Sequence, residues 1–254
     1  MTESEQSSRE PCSFLMYATE VARLLNAEDV VMKPYAGQAR RLAHAVRKPL
    51  LERASLPAEL FAPLMAAAVY DPDPSFCRWF VEPAVYVFGR RRVRAALVDY
   101  LRVGTDAERA GAVRAWYCAH VPLRADRSPA YGPGGVRDPA LDESQDVMDA
   151  WLEASMQVFA EATDLRMRHR VLLGLPTSHA AYPPRLHQLL ESALASARAH
   201  PDQRIRRWAA AAEHDVVSAP LSPVTARPPS PANGASTPEP PSTRWPGDEA
   251  ERAR

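Results

Sequence analysis

The chain has 254 residues and equal numbers of basic and acidic side chains, 31 of each, so its formal net charge at pH 7 is zero. A strongly basic nucleic-acid-binding protein would carry an excess of cations, and this balance argues against that class. Isoleucine occurs only at Ile205 and lysine only at Lys33 and Lys48, whereas alanine and arginine are abundant. The profile resembles high-GC bacterial coding and favours helix, because strong strand formers are scarce.

The cysteines and the charges of the N-terminal residues indicate the cellular compartment of the protein. Cys12, Cys77 and Cys118 are odd in number and share no CxxC spacing, so we expect no disulfide framework and a reducing cytoplasm. The first eleven residues carry three glutamates against one arginine, the wrong sign for a secretory leader. The sequence contains no run of about 18 apolar residues, so we expect neither export nor a membrane span.

The N-terminal segment predicts one short helix. Residues 1–11 are polar, and we expect them to be disordered. Apolar residues then recur at three- and four-residue steps, which predicts a helix from Phe14 to about Asn26. The pattern over residues 28–35 is ambiguous.

Two further helices are predicted after it. The second covers residues 38–52, where Pro49 either ends the helix near Lys48 or kinks it. The third covers residues 56–69, which carry a stripe of large apolar side chains.

Start and stop signals predict three more helices. Asp73 is a credible N-cap for the first, and Pro74 is preset for the helical φ behind it. Gly89 is placed to end that helix with a left-handed conformation. Thr105 and Glu108 form a capping box that begins the third. Connections this short leave neighbouring helices little choice but to pack antiparallel.

The pattern fails over residues 121–138, which include a glycine-rich stretch at 132–135. A connection of this length is longer than structural loops usually are. Two interpretations stay open, a binding loop over a groove and a surface insertion.

Asp138 and Pro139 should begin the longest helix, which we expect to run to about Leu173. Its first half is acidic. Its last turns carry three arginines, Arg166, Arg168 and Arg170. Acids at the start and cations at the end of one helix would complement its dipole.

The chain ends with two predicted helices and a tail. One helix begins at Pro183 and the last at Asp202. Residues 218–254 are rich in proline, serine and threonine and cannot bury enough apolar surface to offset their ordering entropy, so we expect a disordered tail. It is interpreted as a linker or solubilising segment, although the Pro-Pro-Ser-Pro run at 228–231 also fits a ligand of a proline-binding domain. The sequence thus predicts one helical domain, residues 12–217.

The sequence of the last helix resembles that of a known repeat family. Its relevant residues stand at relative positions zero, three, four, seven and eight: Asp202, Ile205, Arg206, Ala209 and Ala210. This run resembles the second helix of a HEAT repeat, which has Asp, then Val-Arg, then Ala-Ala.

Two weaker copies precede it. Residues 71–74 read Asp-Pro-Asp-Pro, similar to the start of that repeat, but Cys77 stands where its arginine belongs. A third candidate begins at Asp106. The spacing from Asp73 to Asp106 is 33 residues, and from Asp106 to Asp202 it is 96, close to three such periods. Helical-pair repeats have periods of about 30 to 47 residues.

The resemblance implies an all-α fold of the armadillo type, a right-handed α-α superhelix of antiparallel helix pairs. Such folds offer a concave surface to a protein, or sometimes to nucleic acid, and have no built-in active site. We interpret the chain as a cytoplasmic HEAT-like protein-binding or scaffolding module; the alternative fold is an irregular helical bundle. The candidate contact residues are nine arginines: Arg90, Arg91, Arg92, Arg94, Arg166, Arg168, Arg170, Arg204 and Arg207.

The alternative function is a HEAT-like nucleic-acid-binding protein or DNA-repair glycosylase, since alkylpurine glycosylases of this class hold DNA on an arginine-rich concave face. Trp79, Trp116, Trp151 and Trp208 could stack on bases, but each has the spacing of a core residue. The neutral charge also disfavours nucleic acid. Protein is therefore the preferred partner, and catalysis is not favoured.

Other chemistry finds little support in the sequence. Cys118 and His120 lie two residues apart on a predicted helix and point to different faces, so we expect no thiolate–imidazole dyad and interpret Cys118 as a small apolar residue. His179 and His187 are not on one helical face, and the histidines share no metal-ligand spacing. The acids of the long helix are interpreted as a solvated face: Asp142, Asp146, Asp149 and Glu153. We expect no metal, nucleotide or other cofactor.

Overall fold

The computed structural model describes residues 3–27, 38–73, 75–131 and 138–218. Ten α-helices occupy these residues, with no strand among them, so the predicted all-helical fold is confirmed for this part of the chain. The helices are α1 (Glu3–Leu24), α2 (Gln38–Glu52), α3 (Phe61–Tyr70), α4 (Arg78–Phe88), α5 (Arg90–Val103), α6 (Asp106–Cys118), α7 (Gln145–Glu161), α8 (Leu165–Leu172), α9 (His187–Arg198) and α10 (Gln203–Ser218).

The helices contact one another as successive helix pairs in a stack would. Within the described residues, consecutive helices pack together as α1/α2, α3/α4, α5/α6, α7/α8 and α9/α10. Every extensive contact outside a pair joins it to the next pair along the chain. The odd-numbered helices contact one another in sequence as one layer, and the even-numbered helices form a second. Nearest-neighbour packing of this kind is how helical-repeat proteins build a core that no single pair could bury.

All ten helices contribute to one continuous apolar core. Phe14 of α1 and Phe80 of α4 are fully buried and meet edge to face, with ring centroids 5.9 Å apart. Trp116 of α6 and Trp151 of α7 stack at 4.0 Å and are also buried. These aromatic contacts join neighbouring pairs, and the predicted core positions of both tryptophans are confirmed.

Several helix boundaries match the sequence prediction. α2 has the predicted range, with Pro49 inside the helix and not at its end. The capping box at α6 is present, because the N–H of Thr105 donates to Glu108 Oε2 at 2.7 Å and the N–H of Glu108 donates to Thr105 Oγ1 at 3.4 Å. Helix α1 begins at Glu3, inside the segment 1–11 for which we expected disorder.

The start of α4 differs from the prediction. The Asp73 carboxylate accepts the N–H of Ser75 at 2.9 Å, but the α-helix begins only at Arg78, with Cys77 at the N-cap. Gly89 at the end of α4 has a φ of 87°, as the predicted stop required, and a Cβ there would lie 2.6 Å from the carbonyl oxygen of Leu141. Pro74 lies outside the described residues, as do residues 28–35, the glycines of 132–135 and the tail after residue 218.

The single long helix predicted from Asp138 to Leu173 is wrong. A 3-10 turn, α7 and α8 replace it. The backbone is extended at Ala162, and the Asp164 carboxylate then accepts the N–H of Arg166 at 2.9 Å, which starts a new helix. Arg166 consequently lies in the first turn of α8, so the proposed match of its charge to a helix C-terminus is also wrong.

Helices α3 and α6 approach each other closely at Gly111. A Cβ at this buried position would overlap the carbonyl group of Val69 in α3. Arg114, one turn further along α6, donates to the backbone oxygens of Val69 at 3.4 Å and Asp71 at 3.0 Å. The close crossing therefore places an arginine of α6 over the last carbonyls of α3, which have no partner within their own helix.

The Asp71 side chain is fully buried just after α3. Its carboxylate receives two hydrogen bonds from Arg40 of α2, at 2.8 and 3.2 Å, and one from the N–H of Asp73 at 2.9 Å. A buried carboxylate is tolerated only when it is paired in this way. Asp71 thus links the first and second helix pairs, and Arg114 connects the third pair to the same residue.

None of the described helices is both long and apolar enough to cross a membrane.

We predict that Gly111→Ala lowers the free energy of unfolding by about 1–3 kcal/mol, because the added methyl group forces α6 away from α3. Urea unfolding monitored by circular dichroism measures the effect. Gly174→Ala is the matched control, since the nearest atom to a Cβ there is 3.7 Å away, and it should change stability by less than about 0.5 kcal/mol. Equal effects of the two substitutions would contradict the close crossing.

Candidate functional site

The arginines at the start of α5 mostly bind neighbouring helices. Arg90 donates to the carbonyl oxygens of Ala119 and, at 2.7 Å, Val121. Arg91 forms a two-point ion pair with Asp146 of α7. These contacts fasten α5 to the end of α6 and the start of α7.

Arg94 is buried, with 8% of its surface exposed. Its guanidinium donates to the Ser144 hydroxyl at 2.7 Å and lies 5.4 Å from the centroid of the Trp116 ring. Burial lowers the pKa of Arg94 to about 10, and the charge of Arg90 adds to the effect. Such a group supports the packing of α5, α6 and α7 and is inaccessible to a partner.

Among the four arginines at the start of α5, Arg92 is exposed to solvent and forms no ion pair with the described residues. Its guanidinium lies over the ring of Phe61, 4.1 Å from the centroid, and 5.3 Å from that of Phe88. A cation over an aromatic face contributes about 0.5–1 kcal/mol at an exposed site. Arg92 therefore marks one end of the surface that Phe61 helps to form.

The remaining candidate arginines lie on two helices of the even-numbered layer that contact each other, α8 and α10. Arg168 donates to the carbonyl oxygen of Ala162 at 2.7 Å and has a structural role. The other four are exposed, and within the described residues their side chains form no hydrogen bond or ion pair: Arg166, Arg170, Arg204 and Arg207.

A groove of about 330 Å³ opens between α3 and α5. Its lining is mostly apolar, with two carboxylates, and consists of Phe61, Ala62, Met65, Ala96, Asp99, Tyr100, Val103, Gly104 and Glu108. Because α3 contacts the third pair mainly through α6 and has little contact with α5, a gap remains between α3 and α5 in the odd-numbered layer. We call it the α3/α5 groove.

One face of α5 supplies half of the groove. Ala96, Asp99, Tyr100 and Val103 stand at relative positions zero, three, four and seven, which places them on one side of a helix. Val103 at the end of this stripe is 85% exposed. An apolar side chain this exposed, continuous with an apolar groove, is a surface that another molecule can cover.

Glu108 closes the groove at the start of α6. Its Oε1 accepts the hydroxyl of Tyr70 at 2.5 Å, and its Oε2 accepts the N–H of Thr105. Partial burial opposes ionisation, but these hydrogen bonds outweigh it and lower the pKa of Glu108. Burial raises the pKa of Tyr100 to about 12, with added contributions from Tyr17 and Glu108. At neutral pH the groove thus contains the neutral hydroxyl of Tyr100 and the ionised carboxylate of Glu108.

The acids predicted for the long helix are largely paired; Asp142 lies before α7, and Asp146, Asp149 and Glu153 lie within it. Asp142 accepts the backbone N–H of Arg90 at 3.1 Å. Asp149 and Glu153 both receive hydrogen bonds from Arg185, at 3.3 Å each. These ion pairs hold the start of α9 against α7, so the interpretation as a merely solvated face is too simple.

Two histidines that do not share a helical face come together. The rings of His179 and His187 are 4.0 Å apart, because the turn through the two prolines folds back on α9. Sequence spacing could not reveal this contact, since the segment between them is not helical throughout. Even so, the described residues contain no group of three or more potential ligands that could hold a metal ion.

The sequence analysis did not predict the groove, because Tyr100 and Met65 have the spacing of core residues. The available signal was the second stripe on α5, which lies beside its core stripe of Val93, Leu97 and Leu101.

The chain matches no protein-family model, no curated protein and no solved structure.

We predict that Tyr70→Phe lowers the free energy of unfolding at pH 7 by about 0.5–1 kcal/mol, because a partly exposed carboxylate loses one donor. Glu108 has a lowered pKa in the folded state, so its stabilising effect is full above the ordinary value of 4.5 and is lost as the pH falls through the folded value. The cost of Tyr70→Phe should therefore shrink in acid.

Tyr182→Phe is the matched control for this prediction. The Tyr182 hydroxyl donates to the carbonyl oxygen of Pro176 at 2.7 Å, an acceptor that does not titrate, so its cost should not follow the same pH profile. Urea unfolding of both variants from pH 7 to about pH 3 gives the comparison. A cost of Tyr70→Phe that stays constant over this range would contradict the role given to ionised Glu108.

Proposed function

We propose that the chain is a cytoplasmic protein-binding module of the HEAT-like superhelix class, and that its α3/α5 groove binds a short segment of another protein. The observation that carries the proposal is the apolar groove of about 330 Å³ with the 85%-exposed Val103 at its edge. Covering apolar surface is favourable by roughly 25 cal/mol per Å². Helical-repeat folds bind partners on an extended surface that the stacked pairs create together.

The turns within two of the helix pairs support the superhelix class. Asp71, before α4, pairs with Arg40 of α2 at 2.8 Å. Asp202, before α10, accepts from His169 of α8 at 2.9 Å. In both cases a carboxylate at the turn binds the even-numbered helix of the preceding pair. Both links join a turn to the preceding pair, as stacked pairs require, although the residue that matches Asp202 in the sequence run is Asp73 and not Asp71.

The HEAT-like residues of the last helix also have structural roles that suit the resemblance. Asp202 accepts the N–H of Ile205 at 3.1 Å and so caps α10. Arg206 donates to the carbonyl oxygens of His200 and Pro201, at 2.8 and 2.6 Å. The aspartate and the arginine of the run thus fix the turn that precedes their own helix.

The charges around the groove indicate the chemistry of its occupant. Asp99 is exposed and has no ion pair among the described residues, and Glu108 carries a negative charge beside it. The apolar surface from Phe61 to Val103 lies next to these carboxylates. We infer a peptide segment with one large apolar side chain in the groove and a lysine or arginine beside it, facing Asp99.

Binding fits the groove better than catalysis does. Both carboxylate oxygens of Glu108 are already engaged, by Tyr70 and by the backbone and hydroxyl of Thr105. A general base must have a lone pair directed at its substrate. The carboxylate therefore serves to begin α6 and to give the groove its charge.

The test begins with a photo-crosslinking amino acid at position 103 of the full-length protein, in an extract of its native cells. Mass spectrometry identifies the linked segment, which is then synthesised and titrated by fluorescence anisotropy. We expect a segment with a large apolar residue next to a basic one. Val103→Arg should weaken its binding at least about tenfold, because it places a cation where the partner's cation lies and obstructs the groove.

Leu173→Arg is the matched control, since Leu173 is also an exposed apolar residue, 73% accessible, at the end of α8. It should bind the peptide as the wild type does. Asp99→Asn should weaken binding and flatten its salt dependence. A segment without the apolar–basic pair, or equal binding by the wild type and Val103→Arg, would rule the proposal out.

A second candidate function rests on the four exposed arginines of α8 and α10, which form a basic surface for nucleic acid. Binding through it would weaken steeply with salt, because phosphate contacts release counterions. Replacing Arg166, Arg170, Arg204 and Arg207 together by glutamine should then abolish DNA or RNA binding, whereas Val103→Arg should not affect it. Salt-sensitive binding of this kind would favour the second function, and its absence at low salt would remove it.

A further inference from the structure

Two cysteines that are 41 residues apart in sequence meet in the structure. The sulfur atoms of Cys77 and Cys118 are 3.3 Å apart and are not joined by a disulfide bond. Cys77 is the N-cap of α4, and Cys118 is the last residue of α6. The contact therefore lies between the second and third helix pairs, on the even-numbered layer.

The two thiols differ in accessibility. Cys77 is completely buried, whereas Cys118 is partly exposed at the end of its helix. A solvent oxidant can reach Cys118 but not Cys77. Since Cys77 is the side chain in contact with Cys118, any reactive group formed on Cys118 lies beside a second thiol.

The surroundings favour a negative charge on the accessible sulfur. The hydrogen bond from Cys77 lowers the pKa of Cys118, and the nearby charge of Arg78 adds to the effect. The same hydrogen bond and the burial of Cys77 raise the pKa of that thiol. Cys118 is thus the thiol that ionises more readily and Cys77 the one that keeps its proton, which suits an attacking and a resolving cysteine.

We propose that Cys118 and Cys77 form a peroxide-reactive dithiol site that closes to an intramolecular disulfide between α6 and α4. The site does not depend on the α3/α5 groove, and it adds a redox modification to whatever the groove binds.

The chemistry balances with hydrogen peroxide as oxidant. The Cys118 thiolate attacks one peroxide oxygen, the O–O bond breaks, and protonation of the leaving hydroxide gives water and a sulfenic acid on Cys118. The Cys77 sulfur then attacks the Cys118 sulfur, the S–O bond breaks, and the hydroxyl leaves as water with the Cys77 proton. Two thiols are oxidised to one disulfide while one peroxide is reduced to two waters.

The geometry permits the second step without rearrangement of the stack. The sulfurs must move from 3.3 Å to the roughly 2.05 Å of a disulfide. Because Cys77 precedes α4 and Cys118 ends α6, both lie at helix termini, where small backbone shifts disturb few hydrogen bonds. The bond would fasten the second pair to the third and stabilise the oxidised protein.

The test treats reduced full-length protein with a small excess of hydrogen peroxide and maps the products by mass spectrometry without reduction. We expect a Cys77–Cys118 disulfide that dithiothreitol reverses. The oxidised protein should melt roughly 5–15 °C higher than the reduced protein, since the bond closes a long loop. Cys12→Ser should give the same disulfide and serves as the control for the third cysteine.

Single variants test the order of events. In Cys77→Ser, dimedone should trap a sulfenic acid on Cys118, because the resolving thiol is gone. In Cys118→Ser, Cys77 should remain unmodified in the folded protein and react only after unfolding in urea. The proposal is overturned if the wild type accumulates sulfenic acid on Cys118 without closing the disulfide, or if only intermolecular bonds form. If either variant fails to fold, the wild-type measurement by itself tests the proposal.

Discussion

The burial of one carboxylate constrains how the helix pairs stack. Asp71 is fully inaccessible to water, and an unpaired carboxylate there would cost several kcal/mol. It is satisfied only when Arg40 of the first pair lies against the turn of the second, at 2.8 Å. Arg114 of the third pair binds the backbone oxygen of the same residue at 3.0 Å. Apolar contacts would tolerate several relative positions of these pairs, whereas this arrangement of donors around one residue permits few.

The same junction determines where the surface is open. Gly111 lets α6 approach the backbone of α3 at Val69, and the α3 surface that regular layering would turn towards α5 has little contact with it. The consequence is the groove between Met65 of α3 and Tyr100 of α5. A close contact between the two layers thus leaves an apolar surface uncovered within the odd-numbered layer.

Local signals were sufficient to predict most helices and insufficient to predict the site. The range of α2 and the capping box at Thr105 follow from spacing and from the hydrogen bonds of a helix terminus, which involve residues close in sequence. The break at Asp164 also had a local signal, but a continuous apolar pattern on both sides concealed it. The second stripe on α5 was the only local signal for the exposure of Val103, and the contact of Cys77 with Cys118 had none. Both depend on which helices become neighbours in the stack, and a period of 3.6 residues describes one helix and not its neighbours.

The sequence of α4 departs from the HEAT-like run of α10, and this arrangement offers a physical reason. In α10 the arginine of that run is Arg206, and it fixes the turn before its own helix at His200. At α4 the equivalent place holds Cys77, which can fix no carbonyl in this way. Arg40 and Arg114, from the pairs on either side, bind the turn at Asp71 instead. Because the turn is held from outside, the α4 position that corresponds to Arg206 needs only a small buried side chain. A thiol satisfies that requirement and, beside Cys118, adds a chemical reactivity that an arginine could not supply.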